Sequence, residues 1–102
     1  MTNPLLAGLQ PTHPGEILRE DILPAIKRPK AEIARALRVS RQQLYDILNE
    51  KKPISSQMAL RLGKLFGMSA EAWLRMQAAY DLATEAVGME EELAMIPHLQ
   101  AA

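Results

Sequence analysis

Residues 30–52, KAEIARALRVSRQQLYDILNEKK, decide the fold of this chain. Ala31, Ile33, Ala34 and Leu37 recur at i, i+2, i+3 and i+6, a stripe that predicts a helix of about two turns. Ala34 is small enough to let a second helix cross closely. Val39 follows as a lone apolar residue, and Ser40 stands at an N-cap position with Gln43 three residues on, the spacing of a capping box. A second helix therefore starts near Arg41. Within it Leu44, Ile47 and Leu48 share one side, while Gln42, Asp46 and Asn49 point roughly the opposite way, with Gln43 and Tyr45 on the flanks.

Two short helices joined by a tight turn, the second polar on its outer face, have the layout of a DNA-reading helix-turn-helix. The side chains on that face are of the right chemistry. Gln and Asn bond adenine N6 and N7 in a bidentate manner, Arg does the same to guanine O6 and N7, and Asp accepts from cytosine N4. Arg41, in the first turn, reaches a base edge or a phosphate. A plain amphipathic pair with a solvated face would show the same spacing, so charge is the arbiter. Residues 27–52 hold eight basic side chains (Lys27, Arg28, Lys30, Arg35, Arg38, Arg41, Lys51, Lys52) against three acidic ones. Residues 70–102 reverse the balance, with Arg75 alone against Glu71, Asp81, Glu85, Glu90, Glu91 and Glu92. The formal net charge of zero hides this split, which suits a chain that meets phosphate with one part and a basic partner with the other.

A chain of 102 residues supports one domain with one substantial core. Hydrophobic residues make up 48% but aromatics only 4%, so that core must rest on Leu, Ile, Ala and Met, a composition that favours helices. The absence of cysteine removes disulfides, thiolate metal ligands and thiol nucleophiles together. No apolar run approaches the ~18 residues of a membrane span, and the N-terminus lacks a leader pattern. The expectation is a soluble, cytoplasmic protein with no membrane association.

Outside the central unit, residues 1–12 read as an N-terminal arm, 13–86 as the domain, and 87–102 as an acidic and apolar tail. In the first helix Pro14 suits the opening position, Ile17, Leu18, Ile22 and Leu23 form a buried stripe, and Pro24 is expected to end or kink it near Leu23. Pro53 is expected to close the second helix of the central unit. Ser55 or Ser56 caps a further helix carrying Met58, Ala59, Leu62, Leu65 and Phe66, which Gly67 ends in a left-handed conformation. Ser69 caps the last clear helix. There Trp73, Met76, Gln77, Tyr80 and Ala83 lie along one stripe and Leu74, Ala78 and Leu82 along another, more apolar surface than one small core absorbs. The preferred expectation is a dimer contact through Trp73, Met76, Gln77 and Tyr80; completion of the monomer core is the alternative.

Enzyme chemistry finds no footing. His13 and His98 are far apart, with neither a cysteine nor a tight carboxylate cluster beside them, so no metal site is expected. Glu90, Glu91 and Glu92 are consecutive and splay around any helix instead of pairing. Phosphate-cradling and nucleophile-elbow motifs are missing, and no cofactor is implied.

Two segments carry a closer resemblance. The run His13-Pro14-Gly15-Glu16-Ile17-Leu18-Arg19-Glu20 and the run Ala72-Trp73-Leu74-Arg75-Met76-Gln77-Ala78-Ala79-Tyr80-Asp81-Leu82 flank the central unit as they do in HigA-type (VapI-like) antitoxins, and the middle resembles the Cro/cI class of helix-turn-helix repressors. The resemblance spans roughly residues 11–86. It implies an all-α, five-helix DNA-binding domain, a homodimer, binding to double-stranded operator DNA upstream of its own genes, and neutralisation of a HigB-like toxin that cleaves mRNA. Carried onto this sequence, Arg41, Gln42, Gln43, Tyr45 and Asp46 read the operator, with Ser40 and Lys30 near the backbone. Asn49, Lys51 and Lys52 extend the candidate surface. Arg38 stands at the turn position where the family usually has Gly, and Pro29 where it often has a capping Ser. Two rivals remain: a regulator with the same DNA chemistry and no toxin, and a helical protein-binding adaptor.

Overall fold

A computed structural model of the chain describes residues 10–101, so most of the expected N-terminal arm lies outside the described residues. The described part is helical. α1 (Pro14–Ile17) passes through a π-helical stretch, Leu18–Ile22, into α2 (Leu23–Ile26); α3 (Lys30–Leu37), α4 (Arg41–Leu48), α5 (Ser56–Phe66), α6 (Ala70–Gly88) and the short α7 (Glu90–Ala94) follow. With α1 and α2 taken as one helix, five helices form the domain.

Each start is local chemistry. His13 caps α1 by accepting the Gly15 N–H on Nδ1 at 2.9 Å, and Pro14, which has no N–H to lose, opens the helix. Ser40, Ser55 and Ser69 cap α4, α5 and α6, their Oγ atoms accepting from Gln43, Met58 and Ala72. The expected capping box is complete: Gln43 Oε1 accepts the Ser40 N–H at 2.8 Å while Ser40 Oγ accepts the Gln43 N–H at 3.0 Å. Pro29 begins α3 without a side-chain cap.

Of the two proline expectations, the first loses one of its alternatives and the second needs correction. The first helix does not stop at Leu23 but continues past Pro24 to Ile26, because the π-helical stretch immediately before the proline widens the turn; the Leu23 N–H bonds the Leu18 carbonyl, five residues back. Likewise α4 ends at Leu48, well before Pro53. Its terminator is Glu50, at φ 60°, with the Glu50 and Lys51 N–H groups returning to the carbonyls of Ile47 and Asp46. That is a Schellman motif, and α3 ends in another: Arg38, at φ 62° and ψ 41°, donates to Arg35 while Val39 donates to Ala34. The backbone is left-handed at Arg38, where the resembled family usually has Gly, and the left-handed stop expected at Gly67 is present (φ 84°).

The core is continuous through Leu18, Leu23, Ile33, Ala34, Leu37, Leu44, Ile47, Leu48, Ile54, Met58, Ala59, Leu62 and Trp73. Trp73 is 0% exposed and Gln77 5%, which moves both from the expected dimer interface to the alternative, completion of the monomer core: Trp73 is wholly enclosed within the single chain and Gln77 shows only a sliver of surface. Met76 and Tyr80 stay partly exposed. The second half of α6 and everything after it turn outward, leaving Leu82, Val87, Leu93, Met95, Ile96 and Leu99 largely bare. The radius of gyration is accordingly 16.9 Å, against about 13 Å for a compact chain of this length.

Candidate nucleic-acid interface

The inward side of α4 is sealed by Leu44, Ile47 and Leu48, 1%, 4% and 2% exposed. This burial turns the opposite side to solvent and sets its side chains in one row. Arg41, Gln42, Gln43, Tyr45 and Asn49 are exposed and Asp46 is partly so; Lys30, Ser40, Lys51 and Lys52, from the flanking turns and α3, are exposed as well.

Contacts within the row restrict how its members are presented. Gln42 Nε2 donates to Asp46 Oδ1 at 2.7 Å, one turn on, which orients the amide and leaves its carbonyl free to accept. Gln43 spends its carbonyl oxygen on the capping box, so its NH2 group is what remains for a partner. Lys30 Nζ lies 5.9 Å from the centre of the Tyr45 ring, within cation–π range, tying the start of α3 to the face of α4. Beside the row a cleft of about 260 Å³ is lined by Gln43, Asp46, Lys52, Pro53, Ser55 and Met58. Hydrogen-bonding groups of both polarities, flanked by cations and free of buried charge, match a surface that meets base edges and phosphate.

Three residues that shape this surface were not singled out from the sequence. Arg19 donates through Nη1 to the Leu48 carbonyl and to Glu50 Oε2 (3.2 Å), and through Nε to Glu20 at 2.8 Å. It thereby covers an open carbonyl at the end of α4. Its hydrogen bond to Glu20 leads in holding the guanidinium proton more tightly than usual, partial burial opposes this, and the bond to Glu50 adds to it. Arg61 performs the same service for α3, donating to the Leu37 carbonyl at 2.9 Å. At Gly15 the backbone of α1 lies directly on that of α4, and a Cβ there would overlap the Ile47 carbonyl. Nothing in periodicity announces such contacts, because they join residues 24 or more positions apart; only the HPGE run marked the neighbourhood.

A fold in which α3 and α4 are joined at a left-handed turn, with α4 polar on its outer side, defines a helix-turn-helix DNA-binding domain of the Cro/cI type. The chain belongs to the helix-turn-helix family, whose profile matches residues 22–73. Among its relatives, Virulence-associated protein I of Dichelobacter nodosus is 46% identical over 70 residues, which span 69% of this chain and 65% of that protein, just under two-thirds of its length. Among solved structures, the Pseudomonas aeruginosa antitoxin HigA with the higBA promoter superposes with a TM-score of 0.82 at 40% identity, covering 89% of this chain and all of that one. Antitoxin GraA in complex with its operator gives 0.84 at 36% identity over 99% of both chains. Among the described residues, no helix is long and apolar enough to cross a membrane.

Proposed function

We propose that this protein is an operator-binding antitoxin: a homodimer that represses its own promoter and neutralises an mRNA-cleaving toxin. The observation that carries the DNA half is the exposed row on α4. Arg41, Gln42, Gln43, Tyr45, Asp46 and Asn49 read base edges, while Lys30, Ser40, Lys51 and Lys52 hold phosphate. The solved relatives that bind a promoter and an operator support this reading. Two copies would set their α4 helices about 34 Å apart, one turn of B-DNA. Met76 and Tyr80, continued along their stripe by exposed Val87, with exposed Leu82 on the second stripe of α6, supply the contact between copies.

The toxin half rests on charge and on the antitoxin relatives. A ribonuclease needs a basic surface for its substrate, and the carboxylates of Glu90, Glu91 and Glu92, followed by bare Met95, Ile96 and Leu99, form a segment that competes for such a surface.

Anisotropy titrations with the duplex immediately upstream of the protein's own coding sequence, against a scrambled duplex, test the DNA reading. Arg41→Ala and Gln42→Ala are each expected to cost about 1–3 kcal/mol on the first duplex and little on the second. Equal losses on both would reassign these residues to phosphate, and no loss would remove them from the interface.

A further inference from the structure

Gln77 is the buried side chain with the least obvious reason to be polar. It lies in the middle of α6, 5% exposed, one turn beyond the fully enclosed Trp73, at a position that an aliphatic residue would suit better. Both ends of its amide are used. Oε1 accepts the N–H of Ile54 at 2.8 Å, a buried bond across 23 residues, and Nε2 donates to Asp81 Oδ1 at 2.9 Å, one turn along α6.

The acceptor matters because of where Ile54 sits. It is the last residue of the α4–α5 loop before the Ser55 cap, it is 3% exposed, and its predecessor Pro53 has no N–H to share the work. On its other side the loop is secured to α4, since the N–H groups of Lys51 and Lys52 both reach the Asp46 carbonyl, at 2.8 and 3.2 Å. Lys51 and Lys52 are thus strung between two anchors, one on the recognition helix and one on α6. The α6 anchor is itself fixed: Tyr80, one turn beyond Gln77, packs edge-on against the buried His13 ring at 4.9 Å, and α1 rests on α4 at Gly15. A cleft of about 270 Å³ is lined by Lys51 and Lys52 from the loop, by Gln77, Tyr80 and Asp81 from α6, and by Glu50 and Glu85.

We infer that Gln77, held in orientation by Asp81, is a positioning residue for DNA binding: it tethers the α4–α5 loop so that Lys51 and Lys52 stand beside the α4 row at the height of the phosphate backbone. This rests on the reading above that these two lysines contact phosphate. It also gives the Q-x-x-Y-D portion of the α6 motif a job that a stripe of core residues would not require.

The slope of log affinity against log salt separates positioning from stability, because it counts phosphates neutralised and not the fraction of protein folded. Gln77→Met keeps volume but removes both hydrogen bonds. It is expected to lower affinity for the upstream and scrambled duplexes alike and to flatten the salt slope by about one to two units, leaving their affinity ratio unchanged. The paired substitution Gln77→Glu with Asp81→Asn keeps net charge and exchanges donor for acceptor: the carboxylate placed at position 77 accepts both from the Ile54 N–H and from the amide placed at position 81. This pair is expected to restore the slope. In a Lys51→Ala, Lys52→Ala background, Gln77→Met should change the slope no further. If the double lysine variant flattens the slope and folded Gln77→Met does not, the tether is refuted and the phosphate reading stands. If the double lysine variant leaves the slope intact, the phosphate reading fails and takes the tether with it. If Gln77→Met cannot be folded, the charge-neutral pair decides: a wild-type slope supports the tether, and a flattened slope in a folded protein overturns it.

Discussion

Gly15→Ala is a one-methyl change whose sign is set by competition. Ala is preferred over Gly in a helix by up to about 1 kcal/mol, less in the first turn where Gly15 lies. Against this, the new Cβ would overlap the Ile47 carbonyl oxygen and stand 2.9 Å from its carbon and 3.0 Å from His13 Nδ1. Two of those atoms are backbone of α4, so no rotamer relieves the overlap; α1 must back away by on the order of 1 Å, and packing falls off steeply over that distance. Overpacking of this kind costs about 1–3 kcal/mol or more, and the retreat strains the His13 cap and the Arg19 bond to Leu48. The clash wins, with a net loss of about 2 kcal/mol. At a urea m-value of about 1–1.5 kcal/mol/M the midpoint falls by about 1–2 M. Operator affinity should drop with it, since α4 is the helix displaced. A midpoint equal to or above wild type at unchanged m would refute the reasoning and place α1 further from α4 than described.

Arg38→Gly should stabilise the fold by roughly 1 kcal/mol, because φ 62° costs an L side chain what Gly does not incur; a lower denaturant midpoint at constant m contradicts this. Leu82→Ser combined with Val87→Ser should shift the protein towards monomer in light scattering with helicity retained, since both side chains are about 70% exposed in one chain; an undisturbed dimer moves the contact elsewhere. If a toxin is encoded beside this gene, as the proposed function requires, truncation after Ala86 should weaken its binding, measured by calorimetry, while operator binding controls for folding. Unchanged toxin affinity would eliminate the tail and turn attention to residues 1–20.

Residues 30–52 were sufficient to place the two central helices, the capping box at Ser40 and Gln43 and the polar row on α4, because each of these is settled by side chains within about one turn of one another; the left-handed backbone at Arg38 was hinted at only by the Gly that the resembled family usually has there. The Ser69 cap and the Gly67 stop were legible for the same reason, and the α5 cap was narrowed to Ser55 or Ser56, of which the structure uses Ser55. Proline left one end open and misled at another. Its local rule states that a regular α-helix cannot continue unchanged, and at Pro24 the chain answered with a π-helical stretch instead of a stop; α4, expected to run to Pro53, ended at Leu48 with Glu50 as its terminator, where Arg19, far off in sequence, binds. The sequence could count the apolar residues of α6 without telling which were enclosed. Trp73 and Gln77 belong to the same stripe as Tyr80, yet α5 and the α4–α5 loop close over the first two and leave the third at the edge. Burial is a property of what packs on a face, not of the face alone. For that reason the tertiary structure alone decided that a glutamine with the look of an interface residue is hydrogen-bonded inside the domain, to the loop that carries its cations.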